Sequence, residues 1–151
     1  MVCTFFGHRD CTELDKNRVY EAIEKAINED VDVFLVGHQG RFDRMVYACL
    51  KQLRISYPQI QVGVVFSRLP EKKDENWETG DTIFPEAVEN GPPKFAIHRR
   101  NRWMLQQADA VVCYVRVPWG GAYKFAALAY KKGKQVINLC PEGVDFDKSS
   151  I

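Results

Sequence analysis

The sequence predicts a doubly wound α/β sandwich in a single domain, 1–151, and three observations carry that prediction. Short apolar runs alternate with segments of helical period. The runs are continuously hydrophobic, as burial on both faces of a parallel sheet demands. Glycine, arginine and histidine gather directly after the runs, at one edge of such a sheet. About five parallel strands are expected, with helices on both faces in a three-layer arrangement.

The elements follow in order. Val2–Phe6 is the first apolar run. A helix is expected over Leu14–Asn28, with Val19, Ala22, Ile23, Ala26 and Ile27 on one stripe and Thr12 as its N-cap. Val31–Val36 is the second strand. Phe42–Ile55 is the next helix, with Met45, Val46, Cys49, Leu50 and Leu53 facing inward. Gln61–Phe66 is the third strand. Residues 67–93, charged and holding four prolines, interrupt the pattern as an irregular excursion with room for a short strand at Thr82–Phe84. Regularity returns with a helix over Phe95–Gln107, a strand Ala110–Val115, a helix after Gly121 and a last strand Gln135–Leu139. Lys131, Lys132 and Gly133 suit a helix carboxyl end. Residues 141–151 are expected to form a tail.

Composition limits the possible functions. The formal net charge of +1 supplies no global field to draw in nucleic acid or a membrane surface, so anion binding must come from local groups. The five cysteines (Cys3, Cys11, Cys49, Cys113, Cys140) show no paired metal spacing and read as buried free thiols of a reducing compartment. No apolar stretch approaches the roughly 20 residues of a membrane span. "MVCTFFGHRD" reads as a strand rather than a signal peptide, and a cytoplasmic location is expected.

Four segments sit at the expected strand ends: "GHRD" at Gly7–Asp10, "GHQGRFD" at Gly37–Asp43, "PPKFAIHRRNRWM" at Pro92–Met104 and "RVPWGG" at Arg116–Gly121. Glycines let backbone amides approach a ligand, a helix N-terminus adds unpaired N–H groups, and arginines add forked donors that match phosphate. Together they describe an anion cradle made of Gly7, His8, Arg9, Gly37, His38, Gln39, Gly40, Arg100, Arg102, Trp119, Gly120, Gly121, Ala122, Tyr123 and Lys124. Each has a structural alternative. The glycines could only make turns, Arg99, Arg100 and Arg102 could form a solvated helix face, and Trp103 and Met104 read more as core than as stacking groups. Trp119 is the better group to flank a purine or ribose. A zinc site from His8, His38 and His98 is disfavoured by the arginines beside them. No serine stands in these segments, and Cys11 lacks a partner as a nucleophile.

These segments, with "TIFPE", "ADAVVCYV" and "WGGAYKFAALAYKKGKQVINL", resemble the SLOG superfamily, the Rossmann-like fold of the LOG phosphoribohydrolases, DprA and nucleotide-sensing domains, and within it the YpsA-like DUF1273 group. The likeness runs from Val2 to about Leu139. LOG enzymes hydrolyse the N-glycosidic bond of nucleoside monophosphates. By position, the resemblance places their arginine on Arg100 and their glycine pair on Gly120 and Gly121. It places their catalytic glutamate on Ala127, while Asp43 takes the place of a helix-capping aspartate. Alanine can neither stabilise an oxocarbenium-like charge nor activate water. The resemblance therefore implies a protein that binds a nucleotide or an ADP-ribose-type molecule as a sensor or sequestering protein. It implies no cofactor and no metal, and a homodimer or higher oligomer held by exposed aromatics such as Trp77, Phe84 and Phe95. The alternative is an N-glycosidase in which Asp10, Asp43 or a residue of 67–93 replaces the missing acid. Nucleic-acid binding by analogy with DprA lacks the lysine stripe it would need.

Overall fold

The computed structural model describes residues 1–8, 11, 13–74 and 77–149. Six parallel strands form one sheet: β1 (Val2–Gly7), β2 (Val33–Val36), β3 (Gln61–Val65), β4 (Thr82–Ile83), β5 (Ala110–Tyr114) and β6 (Gln135–Asn138), in the spatial order β4-β3-β2-β1-β5-β6. The chain builds outward from β1 to β4, then crosses back to set β5 against the other side of β1. The order therefore reverses between β1 and β5, where such sheets open a crevice at their carboxyl ends.

The count is six rather than about five because Thr82 and Ile83 pair with Val64 and Val65 at the edge. Only that pairing makes a strand of two residues set among prolines and charges.

Helices α1 (Lys16–Asn28) and α2 (Gly40–Ser56) pack on one face of the sheet. Helices α4 (Ala96–Gln107) and α5 (Gly121–Lys131) pack on the other; α3 (Glu86–Glu89) and α6 (Phe146–Ser149) are single turns. Alternate strand residues supply the two cores: Cys3, Phe5, Phe34 and Val64 on the α1–α2 side, Phe6, Leu35, Val65 and Cys113 on the α4–α5 side. Each fully buried apolar side chain contributes about 1.5–3 kcal/mol, which is why these runs have no polar alternation. Thr4 is polar and fully buried in β1, and its hydroxyl donates to the Leu35 carbonyl at 2.7 Å. All five thiols are buried and none is in a disulfide.

Local differences from the sequence reading have clear causes. Thr12 lies outside the described residues; α1 is capped by Asp15, whose side chain accepts the Asn17 N–H at 2.9 Å. Within 67–93, Asp81 and the stretch Val88–Pro92 are tied to the helices. Arg54 forks onto Asp81 at 2.7 and 3.0 Å, and the Tyr47 hydroxyl donates to the same carboxylate at 2.7 Å. Arg99, a candidate solvated residue, donates instead to the carbonyls of Val88 and Pro92 at 2.8 and 2.7 Å. Trp77 and Phe84 are half-buried against the first core, so of the three aromatics expected at the surface only Phe95 is exposed. The expected tail folds back, with Phe146 buried in the second core and stacked on Tyr123. Among the described residues, no helix is long and apolar enough to cross a membrane.

Candidate functional site

At the carboxyl end of β1 the two helical layers part around a cleft of about 210 Å³. Its floor is Phe5, Phe6, Gly7 and His8. One wall is Gly37, Gln39 and Asp43; the other is Ile97, Arg100, Asn101 and Met104, closed by Gly121 and Ala122 at the start of α5. Seven of the residues expected in an anion cradle meet here: Gly7, His8, Gly37, Gln39, Arg100, Gly121 and Ala122.

Helix α5 begins at Gly120, which has φ +91° and gives the helix no side-chain cap. The first ladder bond at this end runs from the Lys124 N–H to the Gly120 carbonyl at 3.0 Å. The amides of Gly121, Ala122 and Tyr123 precede it and point out of the helix end. A Cβ built on Gly121 would meet no atom of the described residues within 4 Å, so they give no steric reason for glycine there. Gly7 and Gly37 are the opposite case. A Cβ on Gly7 would collide with the Phe42 ring. One on Gly37 would lie 2.8 Å from Asp43 Oδ2 and 3.1 Å from Arg100 Cζ. These two glycines make room for side chains of the protein itself.

Arg100 is 5% exposed, with its head group in the cleft wall. Its Nε and Nη2 donate to Asn101 Oδ1 at 3.2 and 3.1 Å, and Nη1 lies 3.5 Å from His38 Nδ1. Asp43 is 8% exposed, and its Oδ2 accepts the Gln39 N–H at 3.0 Å. That bond caps α2. Burial pushes the Asp43 carboxyl up to about 6, against the opposing pull of Arg100 and of the Gln39 amide. His8 Nε2 accepts the Arg116 N–H at 3.0 Å, so the neutral ring carries its proton on Nδ1. Burial first, then Arg116, hold His8 below the ordinary histidine value, which keeps it neutral near pH 7.

The other expected residues lie elsewhere. Arg9 falls outside the described residues. His38 is buried behind the cleft wall, stacked on Phe66 at 4.1 Å between ring centroids, and its Nε2 has no hydrogen-bond partner among the described residues. Burial and Arg100 lower it to about 4. Gly40 opens α2 at φ +86° without lining the cleft. Arg102 is exposed and donates to His98 Nε2 at 3.1 Å. Trp119, Gly120, Tyr123 and Lys124 line a separate, shallow and mostly apolar face on the outer side of α5, with Ala127 and Leu128. Trp119 is 66% exposed there. Among the described residues only Gly121 borders both regions. The three histidines stay apart, and among the described residues no cluster of His, Cys, Asp or Glu could hold a metal ion.

The sequence did not assign Phe5, Phe6, Ile97, Asn101 or Met104 to the site, and it offered Asp43 only as a helix cap or as the replacement acid of the N-glycosidase alternative. Ile97, Arg100, Asn101 and Met104 stand at i, i+3, i+4 and i+7, one face of α4, and that spacing was the available signal. The position matched to a catalytic glutamate, Ala127, does not line the cleft; among the described residues the carboxyl that does, Asp43, comes from α2. Comparison of the chain with models of known protein families gives no match, and comparison with curated proteins gives none either.

Proposed function

We propose that this protein binds a phosphorylated nucleotide or an NAD-derived molecule of the ADP-ribose type in the β1–α5 cleft, as a sensor or sequestering protein, without turning it over. The observation that carries the reading is the uncapped α5 amino end opening beside the buried guanidinium of Arg100. Backbone amides and a fixed cation suit a phosphate, and His8 Nδ1–H adds a neutral donor on the floor. The open space over Gly121 leaves the amides approachable. Membership of the YpsA-like branch of the SLOG superfamily belongs to the same proposal, supported by the meeting of Gly7 and His8, Gly37 and Gln39, Arg100 and Asn101, and Gly121 around one cleft. Titration calorimetry against nucleoside mono- and diphosphates and ADP-ribose tests it; no heat from any of them overturns it.

A second reading, hydrolysis of a nucleotide N-glycosidic bond, has one observation in its favour: the cleft contains a buried carboxyl group, Asp43. Release of free base from nucleoside monophosphates, lost in Asp43→Asn, would establish it. Binding without release supports the first reading. Self-association, which the resemblance implies, is tested by sedimentation velocity.

A further inference from the structure

A carboxylate is a poor wall for an anion site. At 4 Å, two unit negative charges repel by about 4 kcal/mol at the effective dielectric near a protein surface. Yet Asp43 is more than nine-tenths buried and lines the same small cleft as Arg100 and the α5 amino end. Capping α2 uses only Oδ2; Oδ1 has no hydrogen-bond partner among the described residues. Gly37 lacks a side chain in the one place where a Cβ would strike both Asp43 and Arg100, so the acid and the base stand together against that wall.

We propose that Asp43 is the residue that sets specificity in this cleft: its Oδ1 accepts a hydrogen bond from a ribose hydroxyl, so that the cleft selects a ribose phosphate over free phosphate or a deoxygenated sugar. This rests on the phosphate-binding reading above. Size favours a sugar hydroxyl over a base N–H as the donor. A cleft of about 210 Å³ is smaller than the roughly 300–1,000 Å³ that encloses a whole drug-sized ligand. It holds a phosphate and the adjoining pentose and leaves the base at the mouth, where Ile97 is 37% exposed. The carboxylate then opposes simple anions and favours a ligand whose hydroxyl offsets the repulsion.

The test is titration calorimetry with the four common ribonucleoside 5′-monophosphates and their 2′,3′-dideoxy counterparts, on the wild-type chain and on Asp43→Asn. In the variant the amide oxygen can keep the Gln39 cap while an NH2 donor replaces the acceptor facing the cleft. The wild-type protein is expected to bind a ribonucleotide at least about 10-fold more tightly than its dideoxy form. Asp43→Asn should bring the ribonucleotide down to the dideoxy level and leave the dideoxy affinity within about 2-fold. Equal wild-type binding of the two forms, still lost in Arg100→Ala, overturns the role of Asp43 and leaves the phosphate reading standing. An equal loss of both forms in Asp43→Asn does the same. Binding of neither form overturns both. The comparison on the wild-type chain needs no variant, so a misfolded Asp43→Asn would not rescue the proposal.

Discussion

The two sides of the α5 amino end are built in opposite ways. On the inner side, polar groups are held in place: buried Arg100 by Asn101 and the His38 ring, buried Asp43 by the Gln39 amide, and the half-buried neutral ring of His8 by the Arg116 amide. On the outer side, Trp119 and Lys124 project over small residues with little around them. Side chains fixed by neighbours lose little freedom when a ligand arrives, whereas a surface tryptophan or lysine must be immobilised at the moment of binding. The difference teaches that a glycine pair before a helix does not by itself choose the side on which a ligand is held. The buried polar groups across from it do.

The comparison can be broken by substitution, beginning with the largest effect. Arg100→Ala is expected to weaken nucleotide binding about 10- to 100-fold by calorimetry, the range for a hydrogen bond to a charged group. If Trp119→Ala weakens it as much, the ligand sits on the outer face and the inner assignment fails.

Acid–base behaviour sharpens the contrast within the inner wall. Asp43 is raised to about 6, so it is protonated in the folded state and ionised in the unfolded state between pH 4 and 6. Its contribution to stability is present at low pH and declines as pH rises through 6. His38 is lowered to about 4, so its contribution is present above pH 6.5 and declines as pH falls through 4. The two slopes oppose each other, each amounting to about 2–3 kcal/mol. Urea unfolding from pH 4 to 6.5 should therefore rise more steeply with pH in Asp43→Asn than in the wild type, and should fall or flatten in His38→Gln. Parallel curves for all three chains would refute the shifts.

Two glycines separate packing from reserved space. Gly7→Ala drives a Cβ into the buried Phe42 ring and should cost about 1–3 kcal/mol in urea unfolding. Gly121→Ala meets none of the described residues and removes a helical glycine, so stability should rise by about 0.5–1 kcal/mol while nucleotide affinity falls. Unchanged affinity in that variant would show that the space over Gly121 serves no ligand. The smallest expected effect is that of Trp119→Ala, no more than about 2-fold in affinity, the level of an exposed contact.

Much of the fold was legible because continuous apolar runs and helical stripes are direct consequences of burial. Val19, Ile23 and Ile27 on α1, and Val46, Cys49, Leu50 and Leu53 on α2, are buried as their spacing demands. The cleft was legible in part, since strand ends in a parallel sheet share one edge and the loops after β1 and β2 and before α5 therefore meet. Arg99 and Arg100 show where legibility stopped. They are adjacent in sequence and identical in type, yet one clamps the carbonyls of Val88 and Pro92 while the other faces the cleft. Asp43 shows the same limit, because a carboxyl in the first turn of a helix reads as a cap, and it is one.

From its own composition and periodicity, the sequence determined a parallel sheet between two helical layers and the glycine-rich edge where its loops gather. Tertiary structure alone decided that the short strand expected at Thr82–Phe84 pairs with β3 as a sixth strand at the sheet edge, that Ala127 turns away from the cleft, and that Asp43 and Arg100 share the wall beside Gly37. The physical reason is that periodicity states which residues of an element lie on one face. What that face meets depends on the distance and rotation of a neighbour far away in the chain, and only packing sets those.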